Sequence, residues 1–244
     1  MSDPRSQELS KSLAAVNRRI DAAVASAGRS VAPELIVVTK YFPAEDAVRL
    51  VRLGAAQLGE NKDQEAAAKA KQVAEQLENE SPRWHFIGQL QSNKAKSVAR
   101  YAHAVHSVDR GKLVAPLSRG VLAALESGER TGSLQCLIQV DLRRSAPDDG
   151  RGGTAPDAVL GLAERIAEAE GLELGGLMAV APLEESPLQA FERLAELSQR
   201  LQEEHPTAAA ISAGMSQDLE DAIQCGATHL RIGRDVLGER PAPR

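Results

Sequence analysis

Eight times along this chain a short run of apolar and β-branched residues gives way to a longer run with helical periodicity. The strand-like runs are 35–40 (LIVVTK), 55–59, 84–88 (WHFIG), 104–108, 134–140 (LQCLIQV), 172–178 (LELGGLM), 208–213 and 228–233 (THLRIG). Helix-like runs follow at 43–53, 62–79, 92–100, 110–127, 156–169, 187–203, 216–224 and 235–238. Strict alternation of this kind builds a parallel sheet whose crossovers are helices. Eight such units in roughly 210 residues predict a (β/α)8 TIM barrel. A doubly wound open sheet is the alternative, but it usually carries a Gly-rich turn after its first strand. Here that turn reads Lys40-Tyr41-Phe42-Pro43. Ahead of the first strand, Leu9, Leu13, Val16, Ile20 and Val24 form one apolar stripe, which predicts an extra amphipathic helix over 6–27 with Gly28 as its C-terminal cap. The expectation is a single domain over residues 1–244, with the extra helix at 6–27 and the barrel at about 34–240.

Composition narrows the function classes. The net charge is −5 and aromatic residues make up 2% of the chain, which disfavours a nucleic-acid binder needing a basic face or a stacking surface. Cys136 and Cys225 lie far apart in apolar stretches and read as reduced thiols of a cytosolic protein. No Cys-x-x-Cys spacing occurs, and the single His103-x-x-His106 pair is not read as a metal site. The N-terminus has no apolar core of a signal peptide, and no run approaches the roughly 20 residues of a membrane span. A cytoplasmic protein, without a membrane or nucleic-acid partner, is expected.

In a barrel of this class, sites form at the C-terminal ends of the strands. The first strand is read as ending in Lys40. A lysine losing solvation at the end of a buried strand favours its neutral amine, and a neutral amine can form a Schiff base with an aldehyde. The seventh strand leads into Gly214-Met215-Ser216, read as opening a helix with Asp218 and Glu220 in its first turn. The eighth leads into Ile232-Gly233-Arg234, read as opening a shorter one. Barrels often hold phosphate with the loops after strands seven and eight. A phosphorylated aldehyde would suit such a mouth, and pyridoxal 5′-phosphate fits.

On the eighth strand, His229, Arg231 and Gly233 share one face, and Leu230 and Ile232 the other. The apolar pair should pack under the outer helices, so Arg231 should point into the barrel. An arginine donating to the pyridine nitrogen would keep it unprotonated and make the ring a poor electron sink. Among the histidines, His85 is expected in the core, and His103 and His106 are read as flanking the fourth strand. The charged face of helix 62–79 is read as solvated. The Pro- and Gly-rich segment 145–156 is read as a rim loop.

The stretches VTKYFPAEDAVRL, GENKDQEAAAKA, WHFIGQLQSNKAKSV, GLMAVAPL, ISAGMSQDLEDAI and HLRIGRDVLGER together resemble the pyridoxal phosphate homeostasis protein family, in order, from about residue 30 to 240. The resemblance implies a barrel like the N-terminal domain of alanine racemase. It implies a protein that binds, buffers and delivers the cofactor to apoenzymes, with no established catalysis and no catalytic residues to assign. Position by position it implies Lys40 as the Schiff-base lysine, Asn61 as a polar neighbour of the cofactor and Met178 as a wall beside the ring. It further implies Ser216 and the Gly233–Arg234 backbone as the phosphate cradle, and Arg231 facing the pyridine nitrogen. Asn93 receives no role. The chain departs from the pattern at Arg234, where relatives carry a hydroxyl residue, and at Tyr41, where they commonly carry threonine.

The competing expectation is an amino-acid racemase using the same lysine. A two-base racemase needs an acid/base group on each ligand face. The tyrosines are Tyr41, expected to point away from Lys40, and Tyr101, expected on the far side of the third barrel helix. A monomeric carrier is therefore the favoured expectation.

Overall fold

The computed structural model describes residues 3–77, 81–143 and 152–240. Eight parallel strands close into a barrel: β1 (Glu34–Val38), β2 (Gln57–Glu60), β3 (Arg83–Phe86), β4 (Ala104–Val108), β5 (Leu134–Gln139), β6 (Leu172–Met178), β7 (Ala210–Ser212) and β8 (His229–Ile232). Closure is made by β1, which pairs with β2 through Val37↔Leu58 and with β8 through Ile36↔Arg231. The open-sheet alternative is thereby excluded.

Helices follow the strands as predicted: α2 (Ala44–Arg52), α3 (Asp63–Gln76), α4 (Ala95–Tyr101), α5 (Val114–Glu126), α6 (Val159–Ala167), α7 (Pro187–Glu204), α8 (Leu219–Gln224) and α9 (Arg234–Leu237). The extra helix α1 (Pro4–Ser26) precedes them. Its start is fixed chemically. Asp3 caps it by accepting the Ser6 N–H, and Pro4 fills the first turn, where a missing N–H costs nothing. Leu9, Leu13, Val16, Ile20 and Ala23 form its buried stripe, and Gly28 just past its end is left-handed at φ +64°.

The strand period of two divides the barrel's side chains. Val37, Leu58, Phe86, Leu230 and Ile232 join the core between sheet and helices, while Ile36, Gln57, His85, His106, Ser212 and Arg231 alternate with them on the inner face. Both faces are covered, as parallel sheets require. The free thiol of Cys136 lies in the outer core, where burial pushes its pKa up to about 12. No helix among the described residues is long and apolar enough to cross a membrane.

Several expected boundaries move. The first strand stops at Val38, so Lys40 does not end a strand but sits in the turn after it. Helix α8 opens at Leu219 rather than at Ser216, because residues 216–218 form a turn in which the Asp218 carboxylate takes the Met215 N–H at 2.6 Å. Asp218 is thus the residue before the helix, and Glu220 and Asp221 occupy its first turn. His106 lies within β4 rather than beside it. Of segment 145–156, residues 145–151 lie outside the described residues; Thr154 bridges back to Val140.

Candidate cofactor site at the barrel mouth

The turn carrying Lys40 is tight. The Thr39 carbonyl accepts the Phe42 N–H at 3.1 Å, with Lys40 and Tyr41 between them. Tyr41 has φ +73°, the one positive value outside glycine among the described residues. A tyrosine in the left-handed region costs about 1–3 kcal/mol and persists only where the surroundings enforce it. This conformation also cancels strand alternation. The expectation that Tyr41 points away from Lys40 is therefore corrected: the Lys40 Nζ lies 5.8 Å from the Tyr41 ring centroid. Lys62 Nζ lies at the same distance, and the Arg240 guanidinium sits 3.7 Å from that centroid.

Behind the turn is a buried ion pair. Lys69 of α3 is bonded to the Glu60 carboxylate at the end of β2, and its Nζ also donates to the Thr39 carbonyl at 2.8 Å. The Thr39 hydroxyl donates to the same Glu60 oxygen at 2.7 Å. Glu60 is 1% exposed and Lys69 7%, which corrects the view of this helix's charges as solvated. The signal was present in the sequence. Ala66, Lys69, Ala70 and Val73 repeat at helical spacing and form the buried stripe of α3.

Asn61 follows β2 and is half-buried, and its Oδ1 is buried without a hydrogen-bond partner in the described protein. Gly88 makes this placement feasible: a Cβ there would stand 2.0 Å from the Asn61 carbonyl oxygen. Met178 ends β6 and is buried.

Across β1, Arg231 points into the barrel as expected. Its Nη1 donates to Ser212 Oγ at 2.7 Å and its Nη2 to the Ala179 carbonyl at 2.9 Å. Burial lowers its pKa to about 10, against the charge of Asp218 which raises it, so it stays cationic at neutral pH. Two of its five N–H donors are used by these bonds. Ser212 Oγ continues to His106 Nδ1 at 2.9 Å, and His106 Nε2 meets His85 Nδ1 at 2.8 Å. Arg231 only donates, so Ser212 Oγ accepts from it, and the direction of the two contacts beyond it is set by the imidazole tautomers. Both imidazoles are neutral, since burial first and neighbouring cationic groups second depress them, His85 to about 3 and His106 well below its usual value. His85 is buried as expected from sequence, but its bond to His106 and the link to Ser212 were not foreseen.

The residues expected to cradle a phosphate lie in the segments that follow β7 and β8. Gly214 at φ +91° lets its loop fold tightly over α8 and β8, where a Cβ would meet Ala222 and Leu230 at 2.7 and 2.8 Å. The half-buried Ser216 is held by its carbonyl, which accepts Arg19 Nη1 of α1 at 2.7 Å. Gly233 lies against Val38 of β1, and Arg234 opens α9 with its side chain exposed. Among the described residues no group of three or more His, Cys, Asp or Glu could hold a metal ion.

Residues 12–241 match the family model described as alanine racemase, N-terminal domain. The pyridoxal phosphate homeostasis protein of Mycobacterium leprae is 43% identical over 240 residues, covering 96% of this chain and 93% of that one. The chain belongs to the pyridoxal phosphate homeostasis protein family. Among solved structures, PipY of Synechococcus elongatus PCC7942, determined with PLP bound, is 28% identical with a TM-score of 0.77, covering 94% of this chain and 100% of that one. A protein of unknown function from Bifidobacterium adolescentis reaches a TM-score of 0.85 at 27% identity and 97% coverage of both chains. For a homeostasis-family barrel the groups gathered here fit an aldehyde and a ring nitrogen. They are one lysine on a held turn, one orphaned amide oxygen that can accept, and one buried cation with N–H donors to spare.

Proposed function

We propose that this protein binds pyridoxal 5′-phosphate and acts in its intracellular homeostasis, holding the cofactor for apoenzymes rather than transforming substrates on it. The observation that carries the reading is the buried Arg231 on the strand adjacent to the one that Lys40 follows, a fixed cation with no carboxylate bonded to it among the described residues. Bound, the cofactor supplies a reactive aldehyde and an electron-accepting ring. Lys40 takes the aldehyde, Arg231 faces the ring nitrogen, Met178 and Asn61 border the ring, and Ser216 with the Gly233–Arg234 backbone receives the phosphate. PipY, solved with PLP bound, supports the cofactor itself.

The same arginine argues against racemisation. A guanidinium that stays protonated gives the ring nitrogen no proton, and without that proton the ring stabilises a carbanion weakly. Neither tyrosine supplies the second base. The Tyr101 hydroxyl lies outside the barrel beside α3, with its pKa raised by burial and by the charges of Asp63 and Glu60, so it remains a phenol at neutral pH. Tyr41 neighbours Lys40 on the same turn.

The test is the visible absorption spectrum of wild type and Lys40→Ala, each mixed with the cofactor and desalted. A band in wild type that is absent from the variant is expected; the same band in both would place the aldehyde on another lysine and overturn the assignment. Incubation of the loaded protein with L-alanine in D2O should leave the α-hydrogen unexchanged, and exchange at enzymatic rates would restore the racemase reading.

A further inference from the structure

We infer that Lys69 and Glu60 are positioning residues for Lys40, acting through the main-chain carbonyl of Thr39. The inference rests on the reading of Lys40 as the cofactor lysine and adds what holds it ready.

Thr39 and Lys40 are consecutive, and Thr39 continues the outward face of Val37 while Lys40 belongs to the mouth. The ion pair therefore grips the backbone from behind, on the side away from the ligand. Three bonds converge there: Lys69 to the Thr39 carbonyl, Lys69 to Glu60, and the Thr39 hydroxyl to Glu60. The gripped carbonyl is the same one that closes the turn by accepting the Phe42 N–H. That turn contains the left-handed Tyr41, a conformation that would relax if the carbonyl were free to rotate. Relaxation would re-aim Lys40, which immediately follows the gripped peptide.

The chemistry needs such aim. The Lys40 amine must enter neutral, its nitrogen forms a double bond to the aldehyde carbon, and the aldehyde oxygen leaves as water with the two amine protons. An amine bound to a drifting turn forms this bond less favourably, since misplacement by about 1 Å suffices for large losses. Burying a lysine and a glutamate is a poor way to gain stability alone, because an apolar pair of like volume often serves as well. Their placement against the one strained turn of the mouth gives the pair a use that an apolar pair would not have.

The experiment compares two ligands in the full chain. Pyridoxal 5′-phosphate carries the aldehyde; pyridoxine 5′-phosphate has the same ring and phosphate with an alcohol in its place. In the double variant Glu60→Gln/Lys69→Met, which removes both charges and the grip together, the dissociation constant for pyridoxal 5′-phosphate should rise about tenfold or more while that for pyridoxine 5′-phosphate stays within about twofold. Lys69→Arg, which retains donors for both partners, should restore most of the aldehyde affinity. Unchanged aldehyde affinity in a folded double variant would overturn the inference, as would an equal loss for both ligands, which marks general damage to the mouth. A wild type in which borohydride fixes no cofactor to Lys40 would instead sink the underlying reading. Should the double variant not fold, Lys69→Gln is measured in the same way, with the same outcomes deciding.

Discussion

Arg19, on the helix that precedes the barrel, donates to the Ser216 carbonyl and also reaches Asp235 at 3.1 Å. It further forms a two-pronged pair with Glu220. One side chain from outside the barrel thus ties together the loops that follow β7 and β8. Arg5 does the same nearer the start of α1, bonding Asp46 of α2 and the Leu237 carbonyl of α9. The added helix is a brace across the seam where the first and last barrel units meet.

Replacing Arg19 by alanine should lower the stability of the whole chain by about 1–2 kcal/mol. The bond to the part-buried carbonyl accounts for most of this, since the pairs with Glu220 and Asp235 are partly solvated and worth little each. Urea denaturation checks the magnitude. Adding salt should shrink the pair contribution and leave the carbonyl contribution in place.

The buried histidines predict a pH dependence. His85 and His106 titrate far below the ordinary value of 6.5 in the folded protein, and His103 and His229 are also lowered, burial being the first cause in each case. Below pH about 6.5 the unfolded chain takes up protons that the folded chain refuses. Stability is therefore fully present above that value and falls as pH drops towards about 3, by up to about 1.4 kcal/mol per pH unit for each histidine. In His106→Gln the slope between pH 6.5 and 4.5 should be shallower, which denaturation series at fixed pH values would reveal. An unchanged slope would mean that His106 does not refuse a proton.

At Gly88 the backbone of Asn61 leaves no room for a methyl group. Gly88→Ala should destabilise by about 1–3 kcal/mol through overpacking and shift the Asn61 segment, weakening cofactor affinity together with stability. Thermal unfolding with and without the cofactor separates the two effects.

Arg231→Met removes the donors facing the mouth and the bonds to Ser212 and Ala179. A charge-assisted hydrogen bond is worth about 1.5–3 kcal/mol, so cofactor affinity should fall by about 10- to 100-fold. Equilibrium dialysis against pyridoxal 5′-phosphate gives the number directly. Lys40 is intact in this variant, so borohydride at saturating cofactor should still trap the adduct.

What was legible in the sequence follows from periodicity. Eight alternations gave the barrel, and the alternation of Leu230, Arg231 and Ile232 gave the inward arginine before any coordinates. Lys40 was found because an apolar strand ends just before it. The same logic carried the strand two residues too far, since nothing in Val38-Thr39-Lys40 announces that Thr39 turns back to Phe42. Lys69 was missed for a different reason. Lysines 69 and 71 look alike in a run of alanines, yet Lys71 is 80% exposed and Lys69 is 7%; only the helical stripe it shares with Ala66, Ala70 and Val73 separates them. The Ser212–His106–His85 chain joins residues over a hundred positions apart, and no local spacing encodes such a contact.

Closure through the pairing of β1 with β8 also has a consequence in time. Ile36 finds Arg231 only after nearly two hundred intervening residues have been made, and pairing over so long a separation is slow. A growing chain on the ribosome holds Lys40 early but has no arginine beside it, and no Gly233 loop, until its last strand emerges. Complete ligand capture is thereby deferred until β8 has emerged, and a chain interrupted before it presents Lys40 without the buried cation beside it.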